Sequence, residues 1–240
     1  EELKKHLLLA FKGRSTATVV EVLGNEDLLV RKYAEFLFRN DYAPYTAKQW
    51  GVSPEEIDPS VLARVPLRFS YDVGYFDDPY QVMPVHSFTS FFENLLHHSN
   101  IHVELGQDAL KQLEIKDNQV TVDGRPFAGL VIYTGPIDEL FHLQYGKLPY
   151  RSLKFEWKYS DKDSVQNAPV VAYPQEKGFT RITEYKKLPM QDKPGSSYAL
   201  EYPLPYEEGK DMEPYYPVLT KESQEQYAKY KELADQVPHL

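Results

Sequence analysis

The chain has 240 residues and a mass of 27.9 kDa, enough to bury a core of its own as one large domain or two modest ones. Hydrophobic residues at 42% and charged residues at 26% are ordinary for a soluble globular protein, and no apolar run approaches the roughly 20 residues needed to cross a bilayer. A formal charge of -9 argues against broad nucleic-acid binding, while zero cysteines exclude disulfides and thiolate metal sites and suit a cytoplasmic protein. The amino terminus, Glu1 to Lys5, has no signal-peptide pattern and no initiator Met, as expected of an excised piece. The first eighty residues read as helical. Asn25 is expected to cap a helix through about Phe38, with Leu29, Tyr33, Phe36 and Leu37 on one face. Ser53-Pro54-Glu55-Glu56 is a capping box predicting a helix towards Leu62 that ends before Pro66. Tyr75 to Pro84 reads as a loop.

A short amphipathic helix is expected over Ser87 to His98, followed by a strand at Ile101 to Leu105. Leu113 to Val122 reads as a hairpin turning at Asp117-Asn118, and Gly129 to Tyr133 as a buried strand stopped by Thr134-Gly135-Pro136. Beyond it the pattern becomes that of half-buried antiparallel strands, with Leu153, Phe155, Trp157 and Tyr159 alternating with charged residues. Further strands are predicted at Val170 to Tyr173, Phe179 to Tyr185 and Tyr198 to Tyr202, before Thr220 caps a helix over Lys221 to about Asp235. The class is α+β.

No P-loop, G-x-G-x-x-G, G-x-S-x-G or H-E-x-x-H motif is present. The adjacent His97-His98 ends a helix without a third ligand nearby and reads as a favourable C-terminal charge, not a metal site. Three features stand out. In the aromatic cluster from Tyr42 to Trp50, Tyr42 and Tyr45 could bracket a planar base and Trp50 could cover a sugar, simple packing being the alternative. Arg64, Arg151 and Arg181 stand apart from one another among apolar or aromatic neighbours, settings in which a guanidinium suits a diphosphate or forms a surface ion pair. Glu213 to Val218 is a double-tyrosine loop stiffened by two prolines.

These segments, in this order, resemble the UDP-galactopyranose mutase family. Tyr45 to Gly51 is similar to that family's Y-T-x-K-Q-W-G, Arg64-Val65-Pro66-Leu67-Arg68 to R-[IV]-P-V-R, and Tyr75-Phe76 with Tyr80-Gln81 to Y-F…[YF]-Q. Ile132 to Asp138 resembles I-Y-T-G-P-I-D, Leu148 to Leu153 resembles L-x-Y-R-S-L, and Phe179 to Glu184 resembles [YF]-T-R-[IV]-x-E. Glu201-Tyr202-Pro203 and Pro214 to Val218 also match. The resemblance implies a cytoplasmic isomerase of cell-surface polysaccharide synthesis that interconverts UDP-galactopyranose and UDP-galactofuranose. Reduced FAD would be its covalent catalyst, with flavin N5 as the nucleophile and no catalytic side chain in this chain.

On that resemblance Tyr45 stacks on uracil with Tyr42 as a second aromatic, and Trp50 lines the sugar side. Arg64 closes on the diphosphate from a mobile loop and Arg181 grips it from a fixed position. Tyr75 and Tyr216 contact phosphate, Arg151 and Glu201 lie in the active-site region, and Thr134, Gly135 and Pro136 meet the cofactor. Implied domains are a helical nucleotide-sugar-binding domain (1–80), a remnant of a Rossmann-like FAD domain (81–138), an antiparallel sheet domain (139–218) and a helix returning to the FAD domain (219–240). Ala172 replaces an asparagine that often touches phosphate, and Val82, Ser87 and Phe88 replace glycine, glycine and tyrosine. The family's amino-terminal flavin segment and its closing flavin-contacting segment are not in these residues. The expectation is therefore an excised core or a degenerate homologue, possessing no tight FAD site of its own and prone to dimerise. A non-catalytic UDP-sugar-binding module is the alternative function.

Overall fold

In the computed structural model, which describes residues 1–53, 56, 59–72 and 78–240, the chain divides into two units. One comprises residues 1–83 and 150–219, the other residues 84–149 and 220–240.

The first unit opens with helix α1 (Glu2–Ala10), the short strand β1 (Thr16–Ala17) and helix α2 (Val19–Leu23). Thr18 and Glu21 form a reciprocal capping box that starts α2. Helix α3 (Leu28–Leu37) is capped by Asp27, whose Oδ1 accepts from the N–H groups of Leu29 at 2.9 Å and Val30 at 3.2 Å. The expected cap, Asn25, lies two residues too early. Its Oδ1 instead accepts from Asp27 N–H, fixing the turn that presents Asp27. The buried face shifts with the cap. Val30 and Ala34 are fully buried, whereas Leu29 and Phe36 are exposed. With Leu7, Val19, Val22, Leu62, Leu67 and Phe69, Val30 and Ala34 form the helical core.

The chain then widens into a π-helical turn (Phe38–Tyr42), in which Ala43 N–H reaches back to Phe38 O, before helix α4 (Ala43–Trp50). This agrees with the helical reading of the first eighty residues, although Pro44 interrupts the aromatic cluster. Proline is tolerated in the first turn of a helix, where its missing N–H costs little. The Asn40 carbonyl that Pro44 cannot reach accepts from Gln175 Nε2 at 3.4 Å. Gly51 ends α4 in the left-handed region at φ 70°. Pro54, Glu55 and residues 57 and 58 of the expected next helix lie outside the described residues; its described part is α5 (Pro59–Ala63), followed by β2 (Leu67–Arg68), which pairs with β1.

The second unit begins with α6 (Phe88–Leu96), started by Ser87 Oγ accepting from Ser90 N–H. Strands β3 (Leu113–Lys116) and β4 (Gln119–Val122) form the predicted hairpin, with Asp117 and Asn118 at φ 49° and 58° as a two-residue turn requires, and β5 (Arg125–Pro126) extends it. The strands expected at residues 101–105 and 129–133 are absent. Neither segment has a strand partner among the described residues, and Leu105, Leu130 and Ile132 are exposed. Segments of this kind become strands only where a neighbouring strand pairs with their backbone. The unit contains the four-residue helix α7 (Ile137–Leu140).

The chain returns to the first unit with an antiparallel sheet of β6 (Tyr150–Ser160), β7 (Val170–Ala172), β8 (Arg181–Glu184), β9 (Ser196–Pro205) and β10 (Tyr216–Pro217), ordered β10-β6-β9-β8-β7. It closes in the second unit with α8 (Lys221–Asp235), capped by Thr220 as expected. The core of that unit is Val120, Leu140, Phe141, Tyr230 and Val237. Tyr230 is fully buried, its hydroxyl donating to Gly146 O at 2.7 Å and accepting from Tyr145 N–H at 2.9 Å. The α+β reading holds.

Candidate functional site: one face of the sheet and helix α4

Register decides which side chains share a face, because residues directly opposite in neighbouring strands project the same way. Arg151 faces Tyr216 across β6 and β10, Phe155 faces Glu201 across β6 and β9, Glu201 faces Arg181 across β9 and β8, and Arg181 faces Ala172 across β8 and β7. Odd-numbered positions of β6 thus lie with Arg181, Glu201 and Tyr216, while Lys154, Glu156 and Lys158 line the opposite face.

Arg181 is the centre of this arrangement. Its Nε donates to Glu201 Oε2 at 2.6 Å, and its Nη2 donates to the Tyr216 hydroxyl at 3.3 Å. Glu201 is buried and its second oxygen accepts from Thr183 Oγ1 at 3.1 Å, so the carboxylate is held from both sides. Burial opposes the charge on Arg181. The bond and charge of Glu201, with the hydroxyls of Tyr216 and Tyr45 close by, outweigh that effect and hold its pKa above the ordinary value. Arg181 is therefore fixed in place and permanently cationic. A third of its side chain remains exposed, which leaves guanidinium N–H groups available to an anion.

Helix α4 supplies the aromatic side. Trp50 is buried and meets the Tyr216 ring edge-on at 6.0 Å. Lys48, two residues earlier, donates from Nζ to the carbonyls of Tyr173, Glu176 and Phe179. From Tyr216 the aromatic contacts continue through Tyr215 and Phe155 to Trp157, which stacks on Tyr185 at 5.0 Å.

Arg151 is buried at the strand end, its Nε donating to Gln49 O at 3.3 Å, and no carboxylate among the described residues pairs with it. Burial pushes its pKa down. A Cβ on Gly51 would stand 2.7 Å from Arg151 Nη1 and push the guanidinium aside, in addition to the strain of a side chain at positive φ.

The structure thus brings Tyr45, Trp50, Arg151, Arg181, Glu201 and Tyr216 together. The Tyr42 hydroxyl donates to Val65 O at 2.7 Å, its ring packs against the helical core, and burial, aided by Asp41 and Tyr33, pushes its pKa up to about 12. Arg64 follows α5 with its side chain exposed and without an ion pair among the described residues. Tyr75 lies outside the described residues. Thr134, Gly135 and Pro136 belong to the second unit, with Thr134 and Gly135 exposed and Pro136 preceding α7. Thr183 and Lys48 were not singled out from the sequence. Thr183 carries a signal only once the β8–β9 register pairs its strand with that of Glu201. Lys48 stands inside the Tyr45–Gly51 motif but looks like any helix-surface lysine.

A family model described as UDP-galactopyranose mutase matches residues 40–240. Among curated relatives, a dTDP-fucopyranose mutase from Escherichia coli is 35% identical over 238 residues, covering 97% of this chain and 60% of that protein. A UDP-galactopyranose mutase from Mycoplasma pneumoniae is 34% identical over 216 residues, covering 88% and 54%, and a probable UDP-galactopyranose mutase from Klebsiella pneumoniae is 34% identical over 230 residues, covering 95% and 56%. The chain spans little more than half the length of these relatives. The family match takes in every site residue from Tyr42 to Tyr216, and the chain belongs to the UDP-galactopyranose mutase family.

Proposed function

We propose that the whole protein interconverts UDP-galactopyranose and UDP-galactofuranose for cell-surface polysaccharide synthesis, and that the first unit carries its grip on the nucleotide. The observation that supports this is a cationic Arg181 anchored on buried Glu201, with Tyr45, Trp50 and Tyr216 on the same side. A guanidinium held in place before the ligand arrives loses little freedom on binding and matches phosphate oxygens in pairs. Tyr45 stacks on the uracil, Trp50 lines the sugar side and Tyr216 donates to a phosphate oxygen. Breaking the anomeric C–O bond leaves the electron pair on the departing diphosphate. Arg181, joined by the exposed Arg64 and by Tyr75, stabilises that charge.

FAD in its reduced form, when bound, supplies the nucleophile for the sugar. The chain's residues fit one edge of such a group and no more. Thr134-Gly135-Pro136 offers one exposed hydroxyl and backbone atoms, but no cation, and the four-residue α7 is too short to hold a pyrophosphate. On this reading the second unit belongs with a Rossmann-like FAD domain. The exposed Phe88, Phe91, Phe92 and Leu95 of α6 support a further polypeptide surface against it, from the rest of the protein or a second copy in a homodimer. No helix among the described residues is long and apolar enough to cross a membrane. We place the protein in the cytoplasm, where nucleotide sugars are made.

The test is turnover by the full-length protein under reducing conditions, with UDP-galactopyranose and dTDP-fucopyranose as alternative substrates and the furanose product resolved by chromatography. Furanose formation from UDP-galactopyranose is expected. Formation from dTDP-fucopyranose alone reassigns the base and sugar. UDP binding without any turnover favours the non-catalytic UDP-sugar-binding reading.

A further inference from the structure

The site draws its two halves from elements far apart in sequence: Tyr45 and Trp50 from α4, and Arg181 from β8. Lys48 joins them. Its stem leaves α4 between Tyr45 and Trp50, and its Nζ donates to Tyr173 O at 2.5 Å, Glu176 O at 2.7 Å and Phe179 O at 2.9 Å. An ammonium has three N–H donors and no acceptor, so these three bonds take up its whole hydrogen-bonding capacity.

The three carbonyls belong to a single connection, the turn between β7 and β8. Tyr173 N–H closes that turn on Thr180 O at 2.8 Å, and its flanking residues Ala172 and Arg181 are register partners. One residue past the closing Thr180 lies Arg181. Lys48 is thus fixed on the aromatic helix at its root and in the arginine-bearing hairpin at its tip. Gln175 of the same turn adds a weaker tie to Asn40 O at 3.4 Å.

We propose that Lys48 is a positioning residue that sets the separation between the base half of the site, carried by Tyr45 on α4, and its diphosphate half (Arg181, Tyr216). This rests on the nucleotide-sugar reading above. A ligand spanning both halves gains from its second contact only when the span is fixed beforehand, because the second contact is then intramolecular at high effective concentration. A ligand filling one half gains nothing from that spacing. Loss of Lys48 therefore weakens a spanning ligand selectively, which damage to either half would not do.

The experiment uses the full-length protein and its Lys48→Met variant, with uridine, inorganic pyrophosphate and UDP titrated separately by ligand-observed NMR or calorimetry. UDP affinity is expected to fall about tenfold in Lys48→Met, with uridine and pyrophosphate within twofold of the unaltered protein. Lys48→Arg keeps the charge but cannot converge its planar fork on three carbonyls, so the same pattern with a smaller fall is expected. Unchanged UDP affinity in Lys48→Met overturns the proposal. Equal weakening of all three ligands, or failure of both variants to fold, overturns it too and makes Lys48 a residue of local stability. If the unaltered protein binds uridine and pyrophosphate but not UDP, the two halves are not spaced for that nucleotide and the proposal falls. If it binds none of them, the nucleotide reading itself falls.

Discussion

Replacing Arg181 by alanine removes two things at once, and the structure allows them to be separated. The first is the cation that balances Glu201, whose carboxylate is only 5% exposed and whose other partner is Thr183. Stripping the partner from a buried ion pair costs about 3–5 kcal/mol. With a third of the Arg181 side chain in solvent, the loss should lie at or below the lower end, about 2–3 kcal/mol. The second is a charge-assisted contact to diphosphate worth about 1.5–3 kcal/mol, or roughly ten- to a hundredfold in UDP affinity. Adding Glu201→Gln removes the stranded charge. The double variant should therefore recover much of the stability lost in Arg181→Ala while UDP binding stays ten- to a hundredfold weaker. Urea unfolding of the full-length variants measures the first effect and calorimetry with UDP the second. If UDP affinity in the double variant returns to that of the unaltered protein, Arg181 is a structural partner of Glu201 and its assignment to the diphosphate is wrong.

Gly51→Ala places a side chain at φ 70° and 2.7 Å from Arg151 Nη1; it should cost about 1–2 kcal/mol from the left-handed backbone alone, lower the melting temperature, and weaken UDP binding by displacing Arg151. Tyr230→Phe strips a donor from Gly146 O and an acceptor from Tyr145 N–H, for an expected loss of about 1–3 kcal/mol by chemical denaturation with UDP affinity unchanged. Burial raises the pKa of Glu184, but bonds from Ser196, Lys187 and the Val165 and Gln166 N–H groups outweigh it, so the folded pKa lies below the ordinary 4.5. The unfolded chain thus takes up the proton first as pH falls. The stabilisation is full above pH 4.5 and is lost as the pH drops through the lower folded value. Glu184→Gln should flatten that acid limb of a stability-versus-pH curve, and an unchanged limb would remove Glu184 as its source. Arg64→Ala should slow turnover while weakening UDP binding less than Arg181→Ala, since Arg64 is exposed and lacks a fixed partner among the described residues.

Legibility in the sequence follows how local each cause is. The Thr220 helix and the Asp117-Asn118 hairpin were readable because a cap and a two-residue turn are set by neighbouring residues. The α3 cap was misplaced by two residues because Asn25 and Asp27 are both good caps, and only the hydrogen bond between them shows which one faces the helix. Helix α4 falls within the stretch read as helical, but its start was not legible, because only the preceding π-helical turn places Pro44 in a first turn. Residues 101–105 alternate and residues 129–133 form an apolar run, both strand-like patterns, but strand formation depends on partners that no single segment encodes. In the site, aromatic and arginine positions could be picked out by type and neighbours. The pairing of Arg181 with Glu201 could not, because it depends on the register of two strands joined by a long connection.

The two tryptophans of these 240 residues differ in a way that makes this chain its own optical reporter. Trp50 is 6% exposed beside Tyr216, whereas Trp157 is 64% exposed on the Tyr185 ring. Shielded indole emits at shorter wavelength and resists iodide, while hydrated indole emits further to the red and is quenched. A nucleotide sugar settling against helix α4 would change the blue component and leave the red one as an internal reference. Occupancy of the nucleotide half could then be followed as an emission ratio from the unlabelled polypeptide, with Trp50→Phe abolishing the ligand-dependent change and Trp157→Phe only the reference.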